Sequence, residues 1–171
     1  LERQGAMILG DALRNAAGAQ VHTGFGVFDY FLLRGFDSLS NGLVLIDQAP
    51  EPEASFYPLY NVERVEVLRG PAAFLYGGNP LSGAVNLVPE RARGHSARRL
   101  TTSVGSFGSV RLEADLARSR SASPWAARLN ALWTGSDGYR DGRDSRSLAA
   151  NPTVEWHGSD SWLRVSAEIV D

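Results

Sequence analysis

The side chains that could carry catalysis or bind a metal are few and widely spaced along the 171 residues. The three histidines, His22, His95 and His157, are far apart, and none has a second histidine at metal-binding spacing. Glu51 and Glu53 are close carboxylates, but they lie in a proline-rich stretch that would not hold them at a fixed separation. No G-x-S-x-G motif occurs. The sequence therefore predicts no catalytic residue, no metal ligand and no enzyme activity.

Two arginines are stronger candidates for a functional role. Arg34 and Arg69 each end a predicted strand, and each stands directly before a glycine. A guanidinium group binds a carboxylate through two parallel hydrogen bonds, so each arginine is suited to hold an acidic side chain. Glu63 and Glu66 are possible partners within the same domain. The predicted role is mechanical and not catalytic.

Arg69 belongs to the stretch around which the chain is organised, residues 61–88. Alternation over residues 62–69 predicts a strand, followed by a turn at Gly70-Pro71, a short helix over 72–76 and a second strand over 84–88. One face of the first strand would carry Val62, Arg64, Glu66 and Leu68. Because both of its faces mix apolar and charged groups, this strand must bury charge against partners outside itself.

The elements before this stretch are short. Apolar residues at helical spacing predict a helix over residues 7–15, with Gly18 as its C-terminal cap. Strands are predicted over 28–34 and 43–47. Connecting segments are predicted as a glycine-rich loop over 21–27, a polar loop over 37–41, a surface loop over 48–53 and a helical turn over 56–60. Together these elements indicate a compact α+β domain.

The pattern changes after the charged segment 89–94, which marks the predicted domain boundary. Long strands follow in which apolar and polar residues alternate. The apolar faces carry Leu112, Ala114 and Leu116, then Trp125, Ala127, Leu129, Ala131 and Trp133, then Leu163, Val165, Ala167 and Ile169. Tight turns are predicted at 106–109 and 157–161, and a long charged loop at 136–149. This alternation is typical of a transmembrane β-barrel, although a soluble sheet with one dry face has the same period.

Composition excludes several classes of protein. No apolar run approaches the roughly 20 residues of a membrane-spanning helix. There are no cysteines, so neither a disulfide framework nor a cysteine-based metal site can form. The net charge is -2, and no basic cluster with interleaved aromatic residues occurs, so nucleic acid is not an expected partner.

Several motifs in order resemble the plug domain of TonB-dependent outer-membrane receptors, and within those receptors the ferric-siderophore group. The main match is E-R-V-E-V-L-R-G-P-A-A-F-L-Y-G followed by S-G-A-V-N-L-V. Upstream, D-A-L-R-N-A-A-G-A, F-L-L-R-G-F and N-G-L-V-L-I-D agree in the expected order. The resemblance implies an α+β plug domain over residues 1–94, followed by antiparallel transmembrane β-barrel strands over 95–171. About five strands fit after residue 94, whereas such barrels have about 22, so we expect the sequence to be part of a longer protein.

The resemblance also implies a function. It places the protein in the outer membrane of a Gram-negative bacterium, in contact with outer-membrane lipid and with TonB as its energising partner. It implies a ferric siderophore as transported ligand, no covalently bound cofactor, and release of the ligand by TonB-driven movement of the plug. Arg34 and Arg69 would pair with glutamates of the barrel wall. In similar receptors the ligand contacts come from outward plug loops. The candidates in the corresponding loops of this chain, chosen for their aromatic and polar side chains, are His22, Phe25, Asp37, Ser40, Gln48, Phe56 and Tyr57.

Two alternatives stay open at this point. The transported ligand could be a vitamin, another metal complex or a carbohydrate, because the plug motifs do not discriminate between them. A soluble β-rich binding module without transport is the other alternative.

Overall fold

A computed structural model describes residues 6–24, 28–38, 44–50, 58–69, 83–94, 96–138 and 144–171. The chain forms two compact units, Leu1–Glu90 and Arg91–Asp171. The division falls close to the predicted boundary but places residues 91–94 with the second unit.

The first unit contains one short helix and two small sheets among its described residues. Its elements are α1 (Leu9–Leu13), β1 (Ala19–Gly24), β2 (Phe28–Leu33), β3 (Phe36–Asp37), β4 (Val44–Ile46), β5 (Ala49–Pro50), β6 (Val62–Arg69) and β7 (Gly83–Pro89). Strands β1, β2 and β3 form an antiparallel sheet in that order. The second sheet has the order β5-β4-β7-β6, in which β4 and β7 are parallel.

Apolar side chains from the helix and both sheets form the main core of this unit. Helix α1 contributes Leu9 and Leu13, and its N-terminus is held by Asp11, whose Oδ2 accepts hydrogen bonds from the backbone N–H groups of Met7 and Ile8. The buried cluster consists of Leu9, Leu13, Phe31, Leu33, Val44, Leu59, Val85 and Leu87. Strand β7 is buried at every position from Gly83 to Val88, because it lies between β4 and β6.

A bulge in β6 changes one predicted face. The register between β6 and β7 shifts between Val62 and Arg64, so two residues of β6 occupy the space of one. Val62 therefore packs against the main core with Val65 and Val67. The prediction that Val62 shares a face with Arg64 is wrong, because strict alternation cannot anticipate the inserted residue.

Several short predicted elements also differ from the structure. The helix is shorter than the predicted 7–15, and Gly18 is not its cap, since Arg14 occupies the C-cap position. The predicted loop over 21–27 begins as strand, because residues 21–24 continue β1 and pair with β2. Ala49 and Pro50 form the two-residue strand β5 instead of loop. The predicted helix over 72–76 lies outside the described residues.

The second unit is a meander of antiparallel strands. Its strands are β8 (Ala97–Val104), β9 (Val110–Ser119), β10 (Trp125–Ser136), β11 (Ser145–His157), β12 (Trp162–Ser166) and β13 (Ile169–Val170). They pair in the order β12-β11-β10-β9-β8, and β13 continues the register of β12 against β11. The turns at 106–109 and 157–161 form as predicted. The predicted loop over 136–149 is shorter, since β11 already begins at Ser145.

Candidate functional site

A polar network runs across the second sheet of the first unit. Asn86 lies in the middle of β7 with only 2% of its surface exposed. Its Oδ1 accepts a hydrogen bond from the Gln48 backbone N–H at 2.9 Å, and its Nδ2 donates to Glu66 Oε2 at 3.0 Å. The Asn86 side chain thus ties the β4–β5 turn to the charged face of β6. Buried amides are tolerated when both ends are satisfied in this way.

The charged face of β6 is held by Arg64. Arg64 Nε donates to Glu66 Oε1 at 2.8 Å, and its Nη1 lies 3.3 Å from Glu63 Oε1. The hydrogen bond from Asn86, followed by that from Arg64, lowers the pKa of Glu66 from its ordinary value of 4.5. The hydrogen bond to Glu66 raises the pKa of Arg64. Glu63 and Glu66, which were possible partners of Arg34 and Arg69 in the sequence analysis, thus both pair with Arg64.

Arg34 lies at the exposed tip of the turn between β2 and β3. Its backbone has the left-handed conformation (φ 51°), and its N–H donates to the Gly18 carbonyl at 3.2 Å. Among the described residues Arg34 forms no ion pair. Arg69 ends β6 opposite Gly83, and its side chain lies outside the described part of the chain. A pairing of either arginine with a barrel glutamate stays a prediction.

The predicted ligand contacts are divided between the two sheets of the first unit. His22 is exposed on β1 and stacks on Tyr30 of β2, with ring centroids 5.3 Å apart. Asp37 lies on β3, opposite Leu32. Gln48 is exposed in the β4–β5 turn with φ 72°. Phe25, Ser40, Phe56 and Tyr57 lie outside the described residues. The structure therefore positions three of the seven predicted contacts, and their ligand-binding role stays a prediction.

Strand β10 of the second unit exposes an uncharged apolar face. On β10, Trp125 is 57% exposed and Trp133 37% exposed, with Leu129 between them at 38%. Their partners on β11 are Trp156, Pro152 and Leu148. Trp125 and Trp133 are eight residues apart, which is about 27 Å along a strand, close to the roughly 25 Å apolar band of a membrane barrel. The predicted alternation of faces is confirmed in this unit.

The opposite face of the same strands carries paired charges. Arg128 binds Asp115 through two hydrogen bonds, Nε to Oδ1 at 2.8 Å and Nη2 to Oδ2 at 2.7 Å. Arg111 pairs with Glu113 on the same face. Glu155 on β11 is only 4% exposed. Sequence reasoning placed several of these residues on a polar face but missed their partners, because the pairing register that joins the strands is not visible in the alternation.

Comparisons with known proteins cover residues of both units. The TonB-dependent Receptor Plug Domain family matches residues 1–84. The ferric-catecholate import receptor Fiu from E. coli K12, in its open form, superposes with a TM-score of 0.83 and 27% identity over 99% of this chain and 25% of its own. The chain carries the plug domain of a TonB-dependent receptor.

Curated relatives agree with this family. The metal-pseudopaline receptor CntO of Pseudomonas aeruginosa strain PAO1 is 36% identical over 111 residues, 64% of this chain and 16% of the relative. The vitamin B12 transporter BtuB of Photobacterium profundum is 31% identical over 142 residues, 78% of this chain and 23% of the relative. The chain thus spans between about a sixth and a quarter of the length of these TonB-dependent receptors.

The match to this family confirms the predicted fold class. An α+β plug domain followed by antiparallel strands, the fold predicted from the sequence, is that of the TonB-dependent receptors. The names of the relatives describe receptors and transporters, not enzymes. Among the described residues no helix is long and apolar enough to cross a membrane.

Proposed function

We propose that this chain is the plug and the first wall strands of an outer-membrane receptor that imports a ferric siderophore in a TonB-dependent manner. The observation that carries the proposal is the pair of faces on β9, β10 and β11, which follow a plug domain. One face is exposed, apolar and marked by Trp125 and Trp133, while the other buries the Arg128–Asp115 ion pair. A sheet of this kind suits a wall between lipid and a polar lumen.

The proposed ligand is a ferric catecholate. The support is the likeness to the ferric-catecholate import receptor Fiu, which extends over 99% of this chain. A ferric siderophore arrives with its iron already chelated, so the receptor needs aromatic and polar contacts instead of metal ligands. The stacked pair His22 and Tyr30 and the exposed Gln48 turn supply such groups. We propose that they act with Asp37 and with the other predicted contacts, Phe25, Ser40, Phe56 and Tyr57.

Release of the ligand is proposed to follow movement of the plug, driven by TonB. The charged face of β6 supports this step, because Arg64, Glu63 and Glu66 make it polar. A polar surface can exchange its partners more cheaply than a dry core can. Arg34 and Arg69 are proposed to hold the resting plug by pairing with glutamates of the wall. The protein would then work in the outer membrane of a Gram-negative bacterium, with TonB as its partner.

A second candidate is import of a different ligand by the same mechanism. CntO and BtuB are 36% and 31% identical to this chain, and their names give a metal-pseudopaline complex and vitamin B12 as ligands. The plug motifs of this chain do not discriminate between these ligands, so the choice depends on the loops.

Binding to the purified full-length receptor distinguishes the candidates. The intrinsic tryptophan fluorescence would be titrated with a ferric catecholate, with cobalamin and with a nickel or zinc chelate. We expect saturable quenching with the ferric catecholate alone. Saturable binding of cobalamin or of the metal chelate instead would support the second candidate. No binding of any of the three would contradict both.

A further inference from the structure

The segment that follows the plug domain is held on the polar face of the second unit. The Ala92 backbone N–H donates to Glu155 Oε1 at 3.1 Å. Ala92 is fully buried, and Glu155 is 4% exposed. A charged acceptor shielded from water makes a stronger hydrogen bond than a neutral one. Glu155 therefore binds the backbone of Ala92, so the contact does not depend on the side chain at position 92.

A second contact fixes the neighbouring residue. Arg128 Nη1 donates to the Arg91 carbonyl oxygen at 2.8 Å. The other two nitrogens of the guanidinium hold Asp115, and the Arg128 side chain is only 8% exposed. The ion pair fixes the rotamer of Arg128, so its third nitrogen is already aimed at the backbone. We call the four residues Arg91, Ala92, Arg128 and Glu155 the clasp.

The clasp begins at the residue that directly follows the last hydrogen-bonded residue of the plug. Within the first unit, the Glu90 backbone N–H donates to the Asn61 carbonyl at 2.9 Å. Within the second unit, Arg128 holds the carbonyl of Arg91. These two bonds flank consecutive residues, whose Cα atoms are separated by about 3.8 Å. Movement of the last plug strand relative to residue 91 must therefore pivot at this link or break one of the two bonds.

We propose that Glu155 and Arg128 are positioning residues that keep residues 91–92 fixed to the wall throughout transport, so that plug movement stops at this point. The proposal rests on the proposed TonB-dependent import. Opening the clasp would leave the buried Glu155 carboxylate without its backbone donor, which is costly. We therefore expect the clasp to stay closed while the plug moves.

The test uses the full-length receptor with Ala92→Cys and a thiol-reactive maleimide. This stretch has no cysteine of its own. We expect the buried cysteine to be protected at rest and to stay protected during TonB-driven uptake of a ferric complex of 2,3-dihydroxybenzoate. Adding Glu155→Ala should raise the labelling rate about tenfold, because a hydrogen bond to a charged acceptor is lost. Adding Glu155→Gln, which keeps an acceptor oxygen, should restore most of the protection.

Two further variants serve as controls for the labelling. Arg93→Cys, exposed in the same segment, should label rapidly in every background. Glu113→Ala, which removes a carboxylate of the same face that pairs with Arg111, should leave Cys labelling at position 92 unchanged. Hydrogen exchange of the 91–94 backbone in the Glu155→Ala receptor, without any cysteine, repeats the comparison if the cysteine disturbs folding.

The outcomes separate the clasp from the proposed function. Labelling that appears only when uptake is driven by TonB would overturn the fixed anchor. Equal labelling in the Glu155→Ala and Glu113→Ala receptors would overturn the clasp itself. If the receptor imports no ferric complex, the proposed function fails, while the comparison at rest still decides whether Glu155 holds Ala92.

Discussion

The Asn86 amide donates to Glu66 Oε2 across 3.0 Å, and its oxygen accepts from the Gln48 backbone. One buried side chain thus joins the charged face of β6 to the turn that carries Gln48, one of the predicted ligand contacts. This relationship connects the stability of the plug to the geometry of the Gln48 turn.

Replacing Asn86 with leucine should loosen that turn. The substitution keeps the size of the side chain but leaves the Gln48 N–H and one Glu66 oxygen without their partner, at a cost of about 1–3 kcal/mol. Hydrogen exchange of residues 44–50 in the full-length receptor should accelerate about tenfold or more. Asn151→Leu, in the second unit, is the matched control and should not change the hydrogen exchange of residues 44–50. Equal exchange in the two variants would show that the network does not hold the turn.

The plug should lose stability in acid because of Glu66. Its pKa is lowered in the folded state by Asn86 and Arg64, so the stabilisation is present above the ordinary value of 4.5 and is lost as the pH falls through the folded pKa. Exchange of β6 and β7 amides, corrected for intrinsic rates, should be constant from neutral pH down to that value and rise below it. Glu66→Gln should flatten this dependence. A dependence that survives the substitution would assign it to another group.

A charge on the apolar face of β10 should impair membrane folding. Leu129 lies midway between Trp125 and Trp133 and is 38% exposed. Leu129→Arg at the centre of the apolar band should destabilise the folded receptor by about 2–4 kcal/mol. Thr101→Arg adds the same charge on the other face, opposite Glu113, and should be tolerated. Urea titration of receptor folded in phosphatidylcholine vesicles measures both, and equal effects would contradict a lipid-facing surface.

Replacing Arg34 with alanine should weaken the attachment of the resting plug to the wall. If Arg34 pairs with a wall glutamate in the full-length receptor, Arg34→Ala removes a charge-assisted bond and should speed amide exchange in β2 and β3 about tenfold. Arg14→Ala removes an arginine whose side chain is 72% exposed, and it serves as the control. Exchange that is the same in both variants would argue against the pair.

Sequence patterns predicted the strands better than the contacts between them. The period-two alternation of β9 and β10 depends only on which side chains share an apolar face, so it was readable without a structure. The bulge at Val62 could not be predicted, because one inserted residue does not alter the amino-acid composition. The same limit hid the Asn86 network and the clasp. Asn86↔Glu66 pairing and the approach of Ala92 to Glu155 both join residues that are distant in sequence.

Uptake of radioactive iron, supplied as a ferric catecholate to cells that express the full-length receptor, tests the central claim most directly. The cells would be compared with and without TonB, and with the receptor located by membrane fractionation. We expect the receptor in the outer membrane and iron uptake only when TonB is present, with binding retained in its absence. Uptake that is equal without TonB, or a receptor that is absent from the outer membrane, would contradict the account.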